Sequence, residues 1–249
     1  MPSHSSTQQF HWPEGKRAAL SLTFDDARPS QIDNGFPVLD AHNLKATFYV
    51  SVGPVEQRLT EWCDAVANGH EIGNHTLSHP CSGNFAFSRN NPLEEYTLER
   101  MENELRDANH AIEQLLGVKP TTFAYPCGNK FVGRGEAVKS YVPLVARHFR
   151  VGRNAFNEIH NDPVFTDLAQ VTALDADGAS FEHLKMLIDR AITGGGWLIL
   201  LGHEVGAGGG QTVLTEALEA VCVYAQDVAN GLWMDTVAAI GDYIIERRT

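Results

Sequence analysis

Two histidines in the first third of the chain, His75 and His79, stand four residues apart. On any helical turn, side chains at this spacing project from one face and lie close enough to share one ion. A hydrolytic metal centre needs three protein ligands, a position left for water, a base for that water and an acid for the leaving group. The spacing therefore predicts two metal ligands, although two polar loop residues would show the same pattern.

Two adjacent carboxylates, Asp25 and Asp26, directly follow the apolar run of residues 18–24. The run is rich in strand formers and predicts a buried β-strand. Carboxylates at the carboxyl end of such a strand are more often functional than structural. Asp26 could complete an Asp-His-His ligand set, and Asp25 would then be free to accept a proton from water. The simpler alternative is an acidic pair that only ends a strand.

Chemically useful residues follow other strand-like runs in the same way. Residues 121–125 lead into Pro126 and Cys127, residues 170–174 lead into Asp175, and residues 197–201 lead into His203. Strand-like and helix-like segments alternate along the chain, as a barrel of parallel strands requires. We therefore expect His203 to point into the same strand-end cavity as Asp25.

The clearest predicted helix begins after Asn91, with Asn91 as its N-cap, Pro92 in its first turn and Gly117 at its end. Its apolar residues recur at three- and four-residue steps and predict one buried stripe: Leu98, Met101, Leu105, Ala108, Ile112 and Leu115. Three further helices are predicted at residues 181–193, 212–230 and 235–248.

Four segments, taken in order, resemble the motifs of the polysaccharide deacetylase family, the NodB-homology carbohydrate esterases. They are TFDD at 23–26, HTLSH at 75–79, FAYPCG at 123–128 and LLGHE at 200–204. The resemblance spans roughly residues 16–245. It implies an α/β fold of the distorted (β/α) barrel type, often seven-stranded, and metal-dependent removal of acetyl groups from sugars.

The resemblance also implies roles for single residues. Carried over by position, Asp25 is the catalytic base, His203 is the acid, and the backbone N–H of Cys127 helps to hold the oxyanion. The implied ligands of one divalent ion, Zn²⁺ or else Co²⁺ or Ni²⁺, are Asp26, His75 and His79. A carboxylate beside His203 would raise the pKa of that histidine. Asp175 is the first candidate for this catalytic partner, and Asp177 is the other.

The chain departs from the family in its third motif, where Ala124 replaces an Arg that contacts the base in many members. Arg150 or Arg153 could supply that contact, and solvated surface arginines would look the same in the sequence. Tyr125, Pro126 and Arg153 are candidate substrate-binding residues. Residues 80–91, which include two phenylalanines and follow the second histidine, could form one wall of a sugar-binding groove.

Composition limits the partners and the number of domains. The 249 residues include 31 Asp and Glu against 19 Lys and Arg, a net charge of −12. An acidic chain without a basic run disfavours nucleic acid or an anionic membrane surface as a partner. The length suits one barrel domain. We expect an N-terminal extension at 1–15, a single NodB-like catalytic domain at 16–249, and an acetylated oligo- or polysaccharide as the partner.

Four cysteines, at positions 63, 81, 127 and 222, are widely spaced and include no C-x-x-C pair. This spacing favours free thiols in a reducing compartment over a disulfide framework. Residues 1–11 show no apolar leader, and no apolar run reaches membrane-spanning length. A cytoplasmic location is therefore expected, or a secreted one if a leader has been removed.

Two other interpretations stay open. A mononuclear Fe(II) oxygenase also uses two histidines and one carboxylate, but it usually does so on an all-β scaffold. A relative of the same barrel could bind glycans without turnover or hydrolyse cyclic amides, although the presence of both histidines and both aspartates argues against that. We expect deacetylation of an N-acetylglucosamine-containing glycan or of O-acetylated xylan.

Overall fold

The structure is a computed structural model, and it describes residues 10–248. Helices and strands alternate along most of the chain. The elements are β1 (Ala18–Asp25), α1 (Phe36–Ala41), β2 (Thr47–Val50), α2 (Val52–Gln57), α3 (Leu59–Ala67), β3 (Glu71–Asn74), α4 (Leu98–Leu116), β4 (Thr122–Ala124), β5 (Phe131–Val132), β6 (Lys139–Ser140), α5 (Val142–His148), β7 (Val151–Arg153), β8 (Leu174–Asp175), α6 (Phe181–Gly194), β9 (Trp197–Gly202), β10 (Glu204–Gly206), β11 (Thr212–Leu214), α7 (Thr215–Gln226), β12 (Leu232–Met234) and α8 (Val237–Arg248).

Seven strands form one curled parallel sheet in the order β7-β4-β3-β2-β1-β9-β8, and β12 adds to it by pairing with β1. Strand β1 lies between β9 and β2, with which it pairs in parallel. The two edges of the sheet meet where Arg153 forms an isolated parallel bridge with Val171, shortly before β8. This arrangement confirms the distorted (β/α) barrel expected from the sequence.

The central strands are covered on both faces. Every residue of β1 and β9 is buried, as is usual for parallel strands packed between helices. Aromatic rings fill one side of the core: the rings of Phe24 and Phe48 stack at 5.3 Å, and Trp62 of α3 meets Phe48 at 5.6 Å. Each such buried ring contributes about 1.5–3 kcal/mol, so these contacts fix α3 against β2, which pairs with the strand that carries the acidic pair.

Helix α4 begins later than the sequence predicted. Its N-cap is Thr97, whose hydroxyl accepts a hydrogen bond from the N–H of Arg100 at 3.1 Å. The prediction of Asn91 as the cap is wrong, because a separate 3₁₀ turn at Leu93–Glu95 intervenes and the chain is extended again after it. The predicted end at Gly117 is confirmed, and that residue has a left-handed φ of 69°. The stripe is buried at Met101, Leu105, Ala108 and Ile112.

The predicted helix at 212–230 is also divided. Residues Thr212–Leu214 form β11, which pairs with β10, and the helix itself runs only over Thr215–Gln226. The helices at Phe181–Gly194 and Val237–Arg248 lie close to their predicted bounds. Over residues 10–248, no helix combines the length and the apolar character that crossing a membrane requires.

The end of the predicted N-terminal extension packs onto the barrel. Trp12 is buried, its ring stacks on Tyr243 of α8 at 6.2 Å, and its Nε1 donates to the carbonyl oxygen of Gly195 at 2.9 Å. Residues 1–9 of that extension lie outside the described residues. Residues 10–15 are therefore part of the folded body, and the boundary at residue 15 stays a prediction.

Candidate metal centre

Asp26, His75 and His79 meet at the carboxyl ends of β1 and β3. Oδ1 of Asp26 lies 3.6 Å from Nε2 of His75 and 3.5 Å from Nε2 of His79. One ligand atom from each of the three residues lies within 4.8 Å of the others. Nδ1 of His75 lies 3.0 Å from the carbonyl oxygen of Ala124, which leaves Nε2 to face the group. One carboxylate and two imidazoles at this spacing fit one divalent ion such as Zn²⁺.

The two histidines lie in a loop after β3, so the spacing that brings them together is not that of a helical turn. Thr76 and His79 have left-handed φ values of 66° and 50°. Local hydrogen bonds stabilise that conformation: Asn74 Oδ1 accepts from the N–H of Thr76 at 2.7 Å, and Thr76 Oγ1 accepts from the N–H of His79 at 3.0 Å. The loop thus folds back far enough to bring both imidazoles to one point.

Glu104 of α4 holds the other side of this loop. Its carboxylate accepts from the N–H of Leu77 at 3.1 Å, from the N–H of Ser78 at 2.9 Å and from the hydroxyl of Tyr96 at 3.0 Å. This role of Glu104 was not predicted from the sequence. A single acidic residue on the polar face of a helix gives no sequence signal, because the loop groups that it binds lie 26 and 27 positions away.

Gln31 connects the strand ends that carry the predicted base and acid. Its Nε2 donates to the carbonyl oxygen of Asp25 at 2.6 Å and to that of His203 at 2.8 Å. Gln31 is fully buried and opens the π-helical turn that follows β1. It therefore links the two main-chain segments just beyond the last paired residues of β1 and β9, Phe24 and Gly202. Its role was not predicted from the sequence.

Asp25 and Arg153 form a buried ion pair inside the barrel. Nη2 of Arg153 donates to both carboxylate oxygens of Asp25 and lies 2.6 Å from Oδ2. The guanidinium carbon lies 4.9 Å from the ring centroid of Tyr49. Arg153 thus makes the contact expected of the missing third-motif Arg, whereas Arg150 pairs with Asp242 nearer the surface. The predicted substrate-binding role of Arg153 does not fit, because its side chain has no exposed surface.

His203 follows β9 and is held by Asp177. Nδ1 of His203 lies 2.6 Å from Oδ2 of Asp177, and the other carboxylate oxygen accepts from the backbone N–H of His203 at 3.1 Å. Asp175, the first candidate for this partner, is exposed and accepts from the N–H of Asp177 at 3.0 Å. The choice of Asp175 is therefore corrected to Asp177, and Asp175 supports the turn that presents it.

The surroundings of His203 favour its protonated form. Burial acts to lower the pKa of His203, but the hydrogen bond to Asp177 and the charges of Asp25 and Asp26 outweigh burial and raise the pKa above its ordinary value. A histidine with a raised pKa stays protonated to higher pH, and its imidazolium can deliver a proton. Nε2 of this ring is the nitrogen left for that task, since Nδ1 is engaged by Asp177.

In the metal-binding group, by contrast, the pKa values of His79 and Asp26 are lowered. Burial, together with the nearby His75, lowers the pKa of His79 to about 4. Burial by itself raises the pKa of Asp26, but attraction from His75, His79 and Arg28 outweighs it and lowers the pKa overall. A neutral imidazole beside an ionised carboxylate is the protonation state that metal binding requires.

One cavity of about 440 Å³ is lined by Asp25, Asp26, His75, His79 and His203. Three phenylalanines also line it, and each is well exposed: Phe85 at 41%, Phe87 at 67% and Phe156 at 58%. The rings of Phe85 and Phe87 lie 5.5 Å apart, which agrees with the predicted aromatic wall. Exposed apolar side chains around a polar centre suit the apolar faces of sugar rings.

The third motif contributes less to this cavity than the sequence suggested. Tyr125 lines it, but its hydroxyl donates to the carbonyl oxygen of Ala169 at 2.6 Å. Pro126 is buried and is absent from the cavity lining. The structure therefore gives Pro126 no contact with the cavity, whereas the substrate-binding role of Tyr125 stays a prediction. Cys127 does line the cavity, and the oxyanion role of its N–H stays a prediction.

Strained backbone is concentrated in the loops around this cavity. Among the described residues, nine other than glycine have positive φ, and seven of them are here: Asp26, Ala27, Thr76, His79, Cys127, Phe156 and Gln211. Each such position costs about 1–3 kcal/mol and persists only where the surrounding structure imposes it. Clustering of this kind is typical of functional sites.

Cys81 and Cys127 form a disulfide, while Cys63 and Cys222 are free. The prediction that all the cysteines are free thiols is therefore wrong for this pair. The partners are 46 residues apart, and they meet because the loops after the neighbouring strands β3 and β4 leave the same edge of the sheet. The expected cytoplasmic location rested partly on free thiols and stays a prediction.

Comparison with known proteins agrees with this architecture. Residues 13–141, just over half of the chain, match the sequence profile of the family described as polysaccharide deacetylase. A crystal structure of a candidate polysaccharide deacetylase from Mycobacterium smegmatis superposes with a TM-score of 0.69 at 16% identity, covering 98% of this chain and 96% of that chain. The superposition shows that the two proteins share the barrel fold.

Two curated relatives match part of the sequence. A 110-residue stretch is 29% identical to a peptidoglycan-N-acetylglucosamine deacetylase of Listeria monocytogenes, covering 44% of this chain and 21% of that protein. A 94-residue stretch is 33% identical to a chitooligosaccharide deacetylase of Rhizobium leguminosarum bv. trifolii, covering 37% of this chain and 39% of that protein. These matches span well under two thirds of either relative.

Proposed function

Because this chain belongs to the polysaccharide deacetylase family, we propose that it hydrolyses acetyl groups from an acetylated carbohydrate in a metal-dependent reaction. One observation carries the proposal: the Asp26, His75 and His79 group opens into the same cavity as Asp25 and His203. Ligands, base and acid therefore surround one space large enough for an acetylated sugar. His75, Asp25 and His203 each have a partner that fixes the side chain: the carbonyl of Ala124, the guanidinium of Arg153 and the carboxylate of Asp177.

Different residues bind the metal and accept the proton of water. A divalent ion held by Asp26, His75 and His79, with Zn²⁺ the first candidate, would supply Lewis acidity and lower the pKa of water. Asp25 takes the proton from the attacking water, and Arg153 keeps that carboxylate oriented.

The acid acts on the other side of the bond that breaks. His203 gives the proton on Nε2 to the departing amine or alkoxide, while Asp177 holds the ring through Nδ1. The N–H of Cys127, which lies on the cavity wall, donates to the oxyanion as charge develops on the carbonyl oxygen.

We propose an N-acetylglucosamine-containing oligo- or polysaccharide as the substrate. The two curated relatives are named for action on peptidoglycan N-acetylglucosamine and on chitooligosaccharide. The exposed rings of Phe85, Phe87 and Phe156 offer flat apolar surfaces to a pyranose. O-acetylated xylan is the competing substrate.

Acetate release from chitooligosaccharides, peptidoglycan and acetylxylan tests this function. The protein is first treated with a chelator and then assayed before and after addition of Zn²⁺, Co²⁺ or Ni²⁺. We expect release from the N-acetylglucosamine substrates only after metal is added. Metal-loaded protein that binds oligosaccharide but releases no acetate would instead indicate a non-catalytic glycan-binding protein. Ring opening of a cyclic amide would indicate the other reaction of this barrel.

A further inference from the structure

The two histidines of the metal group differ in what contacts the imidazole nitrogen that faces away from it. Nδ1 of His75 lies 3.0 Å from the carbonyl oxygen of Ala124. Nδ1 of His79 has no such partner on another described residue: its contact beyond its own main chain is with Sγ of Cys81, at 3.8 Å. A metal-binding histidine usually donates this N–H to a carboxylate or carbonyl, which fixes the ring and its tautomer. A sulfur atom takes that place for His79.

This sulfur belongs to the disulfide between Cys81 and Cys127. Cys81 is fully buried two residues after His79, and Cys127 belongs to the neighbouring loop after β4. The disulfide therefore fixes where Sγ of Cys81 lies against the imidazole. It also joins the loop of a metal ligand to the loop that carries the proposed oxyanion N–H.

The main chain around Cys81 is held independently of the disulfide. The N–H of Cys81 donates to Ser88 Oγ at 2.9 Å, and the carbonyl oxygen of Cys81 accepts from that same hydroxyl at 2.8 Å. The N–H of Ser82 donates to Asn129 Oδ1 at 2.9 Å, a second link between the two loops. Breaking the S–S bond should therefore free the sulfur while the loops keep their course.

We propose that the Cys81–Cys127 disulfide positions His79 as a metal ligand, so that reducing this bond weakens metal binding. This inference rests on the proposed function, because it concerns the metal group of that site. Cys127 lines the cavity, which gives a small dithiol a route to the bond. Two electrons and two protons pass to the sulfurs, the S–S bond breaks into two thiols, and the dithiol closes to its own disulfide.

Metal affinity tests the inference directly. Zn²⁺ dissociation constants are measured by competition with a chromophoric chelator for oxidised wild type and for the double variant Cys81→Ala, Cys127→Ala. The variant carries no thiol at the site that could bind Zn²⁺ by itself. We expect its Kd to rise about 10–100-fold, the usual effect of losing a residue that orients a ligand. Cys63→Ala, which removes an exposed free thiol, should leave Kd unchanged.

A second measurement covers the case in which the double variant fails to fold. Wild type is reduced with a trialkylphosphine, which with one water becomes the phosphine oxide while the sulfurs become thiols, and Zn²⁺ affinity is measured before and after reoxidation. We expect weaker binding in the reduced protein and recovery on reoxidation. Equal or tighter binding after reduction, or equal Kd in a folded double variant, would overturn the inference and leave the proposed function intact. Oxidised wild type that binds no Zn²⁺ would overturn both.

Discussion

Ala124 of β4 and Arg153 of β7 are direct partners in the parallel pairing of these two strands. Ala124 stands where many members of the family have the Arg that contacts the catalytic base, and here Arg153 contacts Asp25, the proposed base. In this chain the guanidinium is therefore supplied by β7 instead of β4, at the same level of the barrel. Its target, Asp25, is 128 residues away in the sequence.

The contact between Arg153 and Asp25 predicts that Arg153 is required for turnover. Arg153→Ala should lower kcat by about 10²-fold or more, because the base loses its orienting partner. It should also lower the free energy of unfolding by about 3–5 kcal/mol, since Asp25 stays buried without its counter-charge. Arg150→Ala is the matched control and should change neither quantity greatly. Chemical denaturation and acetate release measure the two effects.

A rescue experiment makes this prediction specific. In the Arg153→Ala background, Ala124→Arg restores a guanidinium on the neighbouring strand and should recover part of the lost kcat. A single Arg153→Ala variant with wild-type kcat would show that the ion pair serves neither catalysis nor orientation.

The adjacent carboxylates should have separable roles. Asp25→Asn should keep the metal and lose about 10²-fold or more in turnover, because it removes a general base and no ligand. Asp26→Asn should lose the metal along with the activity. Elemental analysis and acetate release on the same preparations measure both. Metal loss in the Asp25 variant with retention in the Asp26 variant would reverse the assignment.

Asp177 should set the pH range of the acid. Asp177→Asn removes the hydrogen-bonded carboxylate that raises the pKa of His203. The alkaline limb of the kcat profile should therefore move to lower pH, with a larger loss above neutrality than below it. Asp175→Asn should leave the profile in place, because Asp175 does not contact His203. Equal shifts in the two variants would contradict the structure.

The protonation state of His203 beside Asp177 also affects the free energy of unfolding. The pKa of His203 is raised in the folded state, so the stabilisation by Asp177 is fully present below the ordinary histidine pKa of about 6.5. It is lost as pH rises through the raised value. The difference in unfolding free energy between wild type and Asp177→Asn should therefore be larger in mild acid than in mild base.

His203 should matter most when the leaving group is poor. His203→Ala should reduce kcat more than KM, and the loss should be larger for an N-acetyl sugar than for an activated aryl acetate. The reason is that an amine departs poorly without a proton, whereas a phenolate departs unaided. Rates on the two substrates, measured with the same metal-loaded preparation, check this. Equal losses on both would assign His203 to structure or binding.

The aromatic wall should act on binding rather than on chemistry. Phe87→Ala should raise KM roughly tenfold, since about 1.4 kcal/mol of lost apolar contact with a sugar ring corresponds to that factor. Its kcat and metal content should stay close to wild type. Phe165→Ala is the matched control, because Phe165 is 80% exposed and lies outside the cavity lining. Equal KM for all three proteins would place the sugar elsewhere.

Local sequence patterns were enough to predict the strand that ends in Asp25 and Asp26 and the end of helix α4 at Gly117. Both depend on neighbours within a few residues, where hydrophobic periodicity and capping act. The order of the motifs added the barrel fold and the residues Asp26, His75, His79 and His203, which the structure brings into one cavity. The histidine spacing predicted the pair of imidazoles that the structure brings together with Asp26, even though the segment is a loop.

Only the tertiary structure decided between Arg150 and Arg153, between Asp175 and Asp177, and whether Cys81 meets Cys127. In each case the alternatives are similar residues whose partners lie 26 to 128 positions away. Which one makes the contact depends on strand register and on loop conformations that include left-handed residues such as Cys127. Those features arise from packing between distant segments, and a local sequence pattern carries no record of them.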